Sequence, residues 1–224
     1  MTDTFTPYVK AHGIAGLHFW FMTQEAMDWY DPLKPYTKLE YEWVRDNVVL
    51  RGQTIIDAGC HHGNYSVLFG EAAALFCVDP HNGNCAITRT NLELNHIKGE
   101  VCQCAIMAYN GECGFNGQSN GRVGAGKPVA CVTLDTICSR ANVVKLDVEG
   151  AEFFILPDAI DDMPRVHTWI VEVHPTDGNP NDLIRGFHEK DYEVLKVDRN
   201  LMEVVPIAEA TDWTSHATII ARRK

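Results

Sequence analysis

The residues best placed to do chemistry begin in the stretch TIIDAGCHHGNYS, residues 54–66. An apolar, β-branched run ends there at Asp57, and Gly59 and Gly63 frame a turn into a predicted helix that begins near Asn64. Glycine lets a backbone turn tightly and lets a ligand approach the main-chain amides at a helix N-terminus. The stretch therefore predicts a binding site for a nucleotide-type ligand.

The spacing of this motif discriminates between nucleotide cofactors. It lacks the G-x-G-x-x-G fingerprint that holds a pyrophosphate in dinucleotide-binding proteins. The carboxylate of Asp57 would repel a pyrophosphate but suits a ligand with an ammonium group, such as the methionine half of S-adenosylmethionine. Asp79 ends the next apolar run, LFCVD, where such folds place an acid on the ribose hydroxyls. The two acids together predict an adenosyl ligand and disfavour NAD.

A second group of polar residues follows two later strand-like runs. Asp147 and Glu149 follow NVVKL, and Glu172 and His174 belong to the end of HTWIVEVH. Because ligands react at the carboxyl ends of parallel strands, we expect these four residues to share one rim and to be catalytic. If the adenosyl ligand donates a methyl group, the transfer needs an aligned nucleophile in a water-poor pocket. An alcohol acceptor also benefits from removal of its hydroxyl proton. His174 could be the general base, since its ordinary pKa lies near neutrality.

Two alternatives to this catalytic role remain open. Asp147, Glu172 and His174 could instead hold a divalent ion, Mg²⁺ or Mn²⁺, that lowers the pKa of the acceptor hydroxyl. The acids could also be structural, capping helices or receiving backbone amides. For Glu152, at the start of the next predicted helix, we favour the structural role.

Four strings of residues resemble the FkbM-type methyltransferases, from about Arg51 to Arg222: IIDAGCHHGNYS, CVDPHNGNCAITRTNLELN, VTLDTIC and, most specifically, VVKLDVEGAEFFIL. The resemblance implies an S-adenosylmethionine-dependent methyltransferase. It implies cofactor contacts at Asp57, Gly59, Gly63 and Ser66, a ribose contact at Asp79, and a position beside the reacting methyl group for Asp147, Glu149 and Glu152. We add Ala105, from the run EVCQCAI, to the predicted cofactor contacts. The chain departs from its relatives at Cys60, His61 and His62, and we assign the two histidines no role, because adjacent loop histidines are more often solvated.

The predicted strands and helices that must position these residues alternate along the chain. Short β-rich runs separated by amphipathic stretches predict an α/β fold: a doubly wound, Rossmann-like (class I methyltransferase) sheet, mostly parallel, of about seven strands. A hairpin-like end around residues 198–200 predicts an antiparallel C-terminal edge. We expect this domain to span residues 51–224. The glycine-rich residues 110–127 interrupt the pattern as a loop or loose hairpin.

Residues 1–50 differ from the rest of the chain in their concentration of aromatic residues, and they predict an N-terminal helical cap, or lid. Thr37 and Glu40 have the spacing of a capping box at the start of a helix. Aromatic side chains there could roof the acceptor pocket: Trp20, Phe21, Trp29, Tyr30 and Tyr36. The apolar run from Ile14 to Met22 is too short to cross a bilayer.

The charge and the cysteines of the chain limit which kinds of partner and which location are expected. The formal net charge is -11 and no basic stripe interrupts it, so we expect neither nucleic acid nor a membrane surface as a partner. A neutral or cationic small molecule fits better. The eight cysteines show no C-x-x-C pair and predict reduced thiols in a cytoplasmic protein. A homodimer is compatible with the sequence.

The residues that follow Asp147 indicate which chemical group of the acceptor is methylated. Asp147 is followed by Val-Glu-Gly and not by the Pro-Pro-aromatic turn with which nucleic-acid amino-methylating enzymes resembling this fold hold a base amine. We therefore expect O-methylation of a hydroxyl on a sugar, a polyketide or another natural product. One alternative is a non-catalytic module that binds an adenosyl cofactor. Another is an NTPase that uses Gly121–Lys127, although Pro128 replaces the Ser or Thr of a P-loop.

Overall fold

The computed structural model describes residues 9–11, 18–20, 24–30, 34–210, 213 and 215–224. Its strands, in chain order, are β1 (Val9–Ala11), β2 (His18–Trp20), β3 (Thr54–Ala58), β4 (Ala74–Val78), β5 (Glu100–Cys102), β6 (Ala105–Ile106), β7 (Gly111–Phe115), β8 (Lys127–Val132), β9 (Val143–Leu146), β10 (Thr168–Val173), β11 (Tyr192–Asp198), β12 (Glu203–Pro206) and β13 (Ala217–Arg223). Its helices are α1 (Gln24–Trp29), α2 (Pro35–Asn47), α3 (Asn64–Leu68), α4 (Asn82–Leu94), α5 (Leu134–Cys138), α6 (Glu152–Asp162) and α7 (Pro180–Glu189).

The central sheet has eight strands in the order β12-β11-β13-β10-β9-β3-β4-β5. Strands β3, β4, β5, β9 and β10 are parallel, and β13 lies antiparallel between β10 and β11. The predicted Rossmann-like α/β sheet with antiparallel strands at its C-terminal side is therefore confirmed. The eighth strand, β12, pairs with β11 in the hairpin predicted around residues 198–200.

Neighbouring residues of each strand face opposite sides of the sheet, and each side has its own apolar core. Ile56 and Val144 face the core that α6 and α7 complete, whereas Ile55 and Val143 face the core under α2 and α3. The helical side chains that close the two cores are Ile155, Leu156, Ile184 and Phe187 on the first side, and Tyr41, Val44, Tyr65 and Val67 on the second. This double layer fixes the strand ends that carry the polar residues.

The N-terminal segment contributes a helix to the second core. Helix α2 begins at Pro35, with Lys34 at its N-cap and no side-chain cap. Proline favours the first helical position because its φ is already helical, so Thr37 lies inside the helix and the predicted capping box is wrong. Within the described part of the chain, no helix is both long enough and apolar enough to cross a bilayer. The predicted roles of Trp20 and Phe21 fall outside the described side chains.

The glycine-rich region forms part of a small second sheet, in the order β6-β8-β7. Strands β7 and β8 are antiparallel and enclose the loop 116–126. Lys127, the last residue of the P-loop-like match, begins a strand. A P-loop must open a helix at this point, so the structure gives no support to the NTPase alternative.

Candidate active site

A cavity of about 660 Å³ opens where β3, β4, β9 and β10 end. Asp79 directly follows β4, Asp147 follows β9, and His174 follows β10, so the topology brings all three to one place. The predicted site residues that line this cavity are Gly59, Asp79, Ala105, Asp147, Glu149, Glu172 and His174. Asp57, Gly63 and Ser66 are not part of its wall.

Asp79 is held rigidly at the cavity wall by three hydrogen bonds. Its Oδ2 accepts from the backbone N of His61 at 3.0 Å, and its Oδ1 accepts from the backbone N of His81 at 2.8 Å and from Asn84 Nδ2 at 3.1 Å. Burial raises the pKa of Asp79 to about 7, although these hydrogen bonds oppose the shift. A hydroxyl donor entering the cavity would therefore meet an acceptor whose orientation is already fixed.

His61 links two walls of the cavity. Its Nε2 lies 2.8 Å from Ser119 Oγ in the glycine-rich loop, and its Nδ1 lies 3.1 Å from the Tyr30 hydroxyl just after α1. Its ring stacks on that of His62 at a centroid distance of 4.1 Å. Burial, with the nearby charges of His62 and Lys145, lowers the pKa of His61 to about 2, so the ring is neutral. His61 and His62, to which the sequence analysis assigned no role, are both buried.

The two glycines of the first motif are required by protein packing. Gly59 has φ 72, and a Cβ there would overlap the carbonyl oxygen of Asp147. Gly63 has φ 78, and a Cβ there would lie 2.9 Å from Thr88 Cγ2. Positive φ favours glycine because it has no Cβ. The turn after β3 is therefore pressed against the end of β9, which places Gly59 beside Asp147.

Asp57 lies beneath the cavity and not on its wall. The residue is completely buried, its Oδ2 accepts a hydrogen bond from Ser66 Oγ at 2.5 Å, and its Oδ1 lies 3.8 Å from Lys145 Nζ. Asp57 and Lys145 are cross-strand neighbours of β3 and β9. Asp57 is therefore held by Ser66 and by the charge of Lys145, while its Oδ1 has no hydrogen bond among the described residues. The cofactor contacts of Asp57 and Ser66 stay a prediction.

Lys145 is a central residue of the site that the sequence analysis missed. Its Nζ donates to Gly59 O and to Asp147 Oδ2, each at 3.1 Å, and lies 5.6 Å from the centre of the Tyr65 ring. Burial would lower the pKa of Lys145, but the charges of Asp147, Asp57 and Glu172 raise it. A lysine inside the apolar run NVVKLDV was the available signal, since a charge in a buried strand must have a partner.

His174 is held between two carboxylates. Its Nδ1 lies 2.9 Å from Glu152 Oε1, and its Nε2 lies 3.5 Å from Glu149 Oε2. Burial would lower the pKa of His174, but the hydrogen bond and charge of Glu152, with the charges of Asp147 and Glu149, raise it to about 9. The ring is therefore protonated at neutral pH, and the structure argues against the predicted role of His174 as general base.

Glu149 and Glu152 differ in function although they are close in sequence. Glu152 is completely buried and accepts from the backbone N of Gly150 at 2.8 Å as well as from His174, which are the contacts of a structural residue. Glu149 has φ 55, a strained conformation for a residue with a Cβ, and its carbonyl accepts from Arg122 Nε at 2.7 Å. The turn after β9 thereby directs Glu149 into the cavity.

The structure groups possible metal ligands differently from the prediction. Asp147, Glu149 and His174 each offer an atom within 4.8 Å of the others, whereas Glu172 does not belong to this set among the described residues. Glu172 instead lies 3.4 Å from His216 Nε2. With Nδ1 of His174 on Glu152, its Nε2 faces Glu149 and is the ring atom that could serve as a ligand, and we derive no step through a metal.

The opposite end of the cavity combines acids with aromatic rings. Burial and the charges of Asp147 and Glu40 raise the pKa of Glu172 well above its usual range. Glu40 accepts hydrogen bonds from the Tyr65 hydroxyl and, at 2.9 Å, from Thr218 Oγ1. Tyr36, whose hydroxyl lies 3.4 Å from Thr218 Oγ1, and Tyr41 also line the cavity, whereas Trp29 and Tyr30 line it beside His61. Glu40 is a second site residue that the sequence analysis did not identify as one.

Residues 15–194 match the family model described as Methyltransferase FkbM domain. The chain belongs to the FkbM methyltransferase family. Membership makes it a methyltransferase that uses S-adenosylmethionine, as the resemblance implied. The match begins at residue 15 and so includes much of the N-terminal segment, which was expected to lie outside the resemblance. A search of curated proteins finds no match.

Solved structures similar to this FkbM methyltransferase share its fold. An S-adenosylmethionine-dependent methyltransferase from Agrobacterium tumefaciens aligns with TM-score 0.57 and 10% identity over 97% of this chain and 70% of that one. A tRNA m1G37 methyltransferase of M. jannaschii aligns with TM-score 0.53 and 15% identity over 99% of this chain and 58% of that one. Magnesium protoporphyrin IX methyltransferase from Synechocystis PCC 6803, with bound cofactor, aligns with TM-score 0.51 and 12% identity over 84% and 79%.

Proposed function

We propose that this FkbM methyltransferase transfers the methyl group of S-adenosylmethionine to a hydroxyl group of a small molecule. The observation that carries the proposal is one continuous cavity that reaches from Asp79 and Ala105 to Glu172 and Thr218. Its volume of about 660 Å³ lies within the range of roughly 300–1,000 Å³ typical of ligand sites. Cofactor and acceptor can therefore meet in one space.

The cofactor half of the proposal rests on Asp79. Its fixed carboxylate would accept a hydrogen bond from a ribose hydroxyl at Oδ2, which has one donor already, whereas Oδ1 has two, and Gly59 and Ala105 lie along the same wall. Gly63, Ser66 and Asp57 would act from beneath, by holding the turn and Lys145 in place. The bound cofactor supplies an electrophilic methyl carbon on a sulfonium sulfur.

The catalytic half rests on Glu172. A general base works best when its pKa lies near the working pH, and the raised pKa of Glu172 moves it in that direction. We propose that Glu172 takes the proton of the acceptor hydroxyl as the oxygen–methyl bond forms and the sulfur–methyl bond breaks. Asp147 would orient the hydroxyl, and Glu149 and His174 would act as positioning residues by fixing the turn that carries Asp147.

The acceptor is proposed from the cavity and the charge of the chain. Aromatic rings at Trp29, Tyr30 and Tyr36 offer an apolar, water-poor surface that suits a sugar ring or a polyketide. The net charge of -11 favours a neutral or cationic molecule over nucleic acid, and that exclusion rests on charge alone. The cysteines are free thiols, which supports a reducing, cytoplasmic location.

The direct test is transfer of an isotopically labelled methyl group from S-adenosylmethionine to a panel of acceptors. The panel would contain glycosides, amino sugars, hydroxylated polyketides, amines and tRNA, with products located by mass spectrometry. We expect labelled methyl ethers, and much less product with Glu172→Gln. Label only on amines or tRNA would contradict the proposed acceptor. Cofactor binding without transfer to any acceptor would favour the non-catalytic binding module.

A further inference from the structure

The acceptor end of the cavity is acidic inside and basic at its opening. Glu40 is buried and Glu172 is half-buried, and both line the cavity. Two cations, Lys34 and Arg199, line the same cavity but are exposed to solvent. An acceptor therefore passes a basic edge before its hydroxyl reaches the proposed base.

The guanidinium of Arg199 is restrained by an aromatic ring. It lies over the ring of Tyr36, with its Cζ 3.9 Å from the ring centre, and the Tyr36 hydroxyl lies 3.4 Å from Thr218 Oγ1. Thr218 is the partner of Glu172 in the register of β10 and β13. Stacking on a ring orients a guanidinium and leaves N–H donors for another partner. Arg199 is thereby placed at the same end of the cavity as Glu172.

The charge of Arg199 has no carboxylate partner among the described residues. Asp198, its neighbour in sequence, pairs instead with Lys196 at 3.1 Å. Lys34 donates to the backbone carbonyl of Asp28, which is a neutral partner. Both cations are therefore available to an anionic group of a ligand in the cavity.

We propose that the acceptor carries one anionic group, a carboxylate or a phosphate, which Arg199 and Lys34 bind at the opening while the acceptor hydroxyl points inward to Glu172. The inference rests on the proposed function, because it specifies the acceptor of that same cavity. A guanidinium presents its N–H donors in a planar fork that fits both anions. The acids farther in repel the anionic group, which fixes the direction in which the acceptor enters. Arg199 is thus a specificity-determining residue.

The net charge of -11 is compatible with an acceptor of this kind. The net charge acts on a partner over the whole surface of the protein, and it disfavours polyanions such as nucleic acid. The expectation of a neutral or cationic acceptor came from that overall charge, whereas a single anionic group is bound by local contacts. The inference therefore narrows the proposed sugar or polyketide to one that bears an acid group.

The test offers the protein many acceptors at once. Wild type would be incubated with methyl-labelled S-adenosylmethionine and a deproteinised metabolite extract of the cells that make it, and the products would be separated by anion exchange. We expect most of the transferred label in retained, anionic products. Phosphatase treatment then distinguishes the two sources of charge, because it releases phosphorylated products from the exchanger and leaves carboxylates retained.

Two variants separate the role of Arg199 from a general effect of charge. With a retained acceptor purified, Arg199→Gln should raise KM about tenfold or more, change kcat by less than about twofold, and bind S-adenosylhomocysteine as wild type does. Arg222→Gln is the matched control, because Arg222 also lies over a ring, that of Trp43 at 5.3 Å, but is not on the wall of the cavity. It should leave KM unchanged.

Three outcomes would overturn the inference. Label mainly in neutral or cationic products would show that the acceptor bears no anionic group, and equal KM values for Arg199→Gln and Arg222→Gln would show that Arg199 does not bind it. A loss of affinity for S-adenosylhomocysteine as large as the rise in KM would assign Arg199 to the cofactor. Failure of the proposed function looks different, because no fraction then contains a labelled product, and the inference falls with it.

Discussion

The imidazole Nδ1 of His174 lies 2.9 Å from Oε1 of Glu152, a carboxylate that is completely buried. This contact joins the end of β10 to the start of α6, next to the turn that carries Asp147 and Glu149. Because it stabilises the protonated ring, it makes His174 a structural cation of the site. The consequence is a pH dependence of stability.

The free energy of unfolding should decrease as the pH rises from about 6.5 to 9. The pKa of His174 is raised from 6.5 to about 9 in the folded chain, so its contribution is complete below 6.5 and is lost as the pH passes 9. A shift of this size corresponds to about 3 kcal/mol. Urea unfolding of wild type and His174→Gln across this range measures the difference. Parallel curves for the two proteins would show that His174 carries no raised pKa.

Glu172→Gln should reduce kcat/KM by roughly 10²-fold or more, since a positioned general base contributes about that much. In the wild type, activity requires ionised Glu172, so kcat/KM should rise with pH through a pKa above the usual glutamate range. The variant should lose this rising limb. Glu149→Gln, at a neighbouring position on the cavity wall, is the control and should keep the limb. A limb that survives in Glu172→Gln would assign the base to another group.

Lys145→Met should destabilise the fold by about 3–5 kcal/mol, because removing one partner of a buried ion pair leaves uncompensated charge. Asp57 and Asp147 would then face each other without the ammonium between them. The double variant Lys145→Met, Asp57→Asn should recover part of the loss. Chemical denaturation of the three proteins measures both effects. A single variant as stable as wild type would mean that the ion pair does not stabilise the buried acids.

Methyl transfer should be independent of divalent metal. Dialysis against a chelator should leave turnover unchanged, and added Mg²⁺ or Mn²⁺ should not increase it, because the proposed proton transfer to Glu172 uses no metal. Turnover with and without chelator, at a fixed acceptor concentration, is the measurement. A loss that Mg²⁺ restores would instead support a metal on Asp147 and Glu149.

The sheet could be predicted because apolar runs and helical stretches alternate along the sequence. That topology also fixes where residues at the strand ends lie, such as Asp79, Asp147 and His174. It could not predict properties set by tertiary contacts. Whether Asp57 faces the cavity depends on Lys145 across the sheet, and the pKa of His174 depends on Glu152 from a helix. Glu40 was misjudged as a local cap because its partners, Tyr65 and Thr218, are distant in sequence.

Calorimetric binding of S-adenosylmethionine to wild type and Asp79→Asn, with NAD and ATP as comparison ligands, tests whether this cavity binds the adenosyl cofactor. We expect wild type to bind S-adenosylmethionine and neither NAD nor ATP. We expect Asp79→Asn to bind it at least about tenfold more weakly while unfolding at nearly the same temperature. Equal affinity of the two proteins would contradict the assignment of this cavity to the adenosyl cofactor.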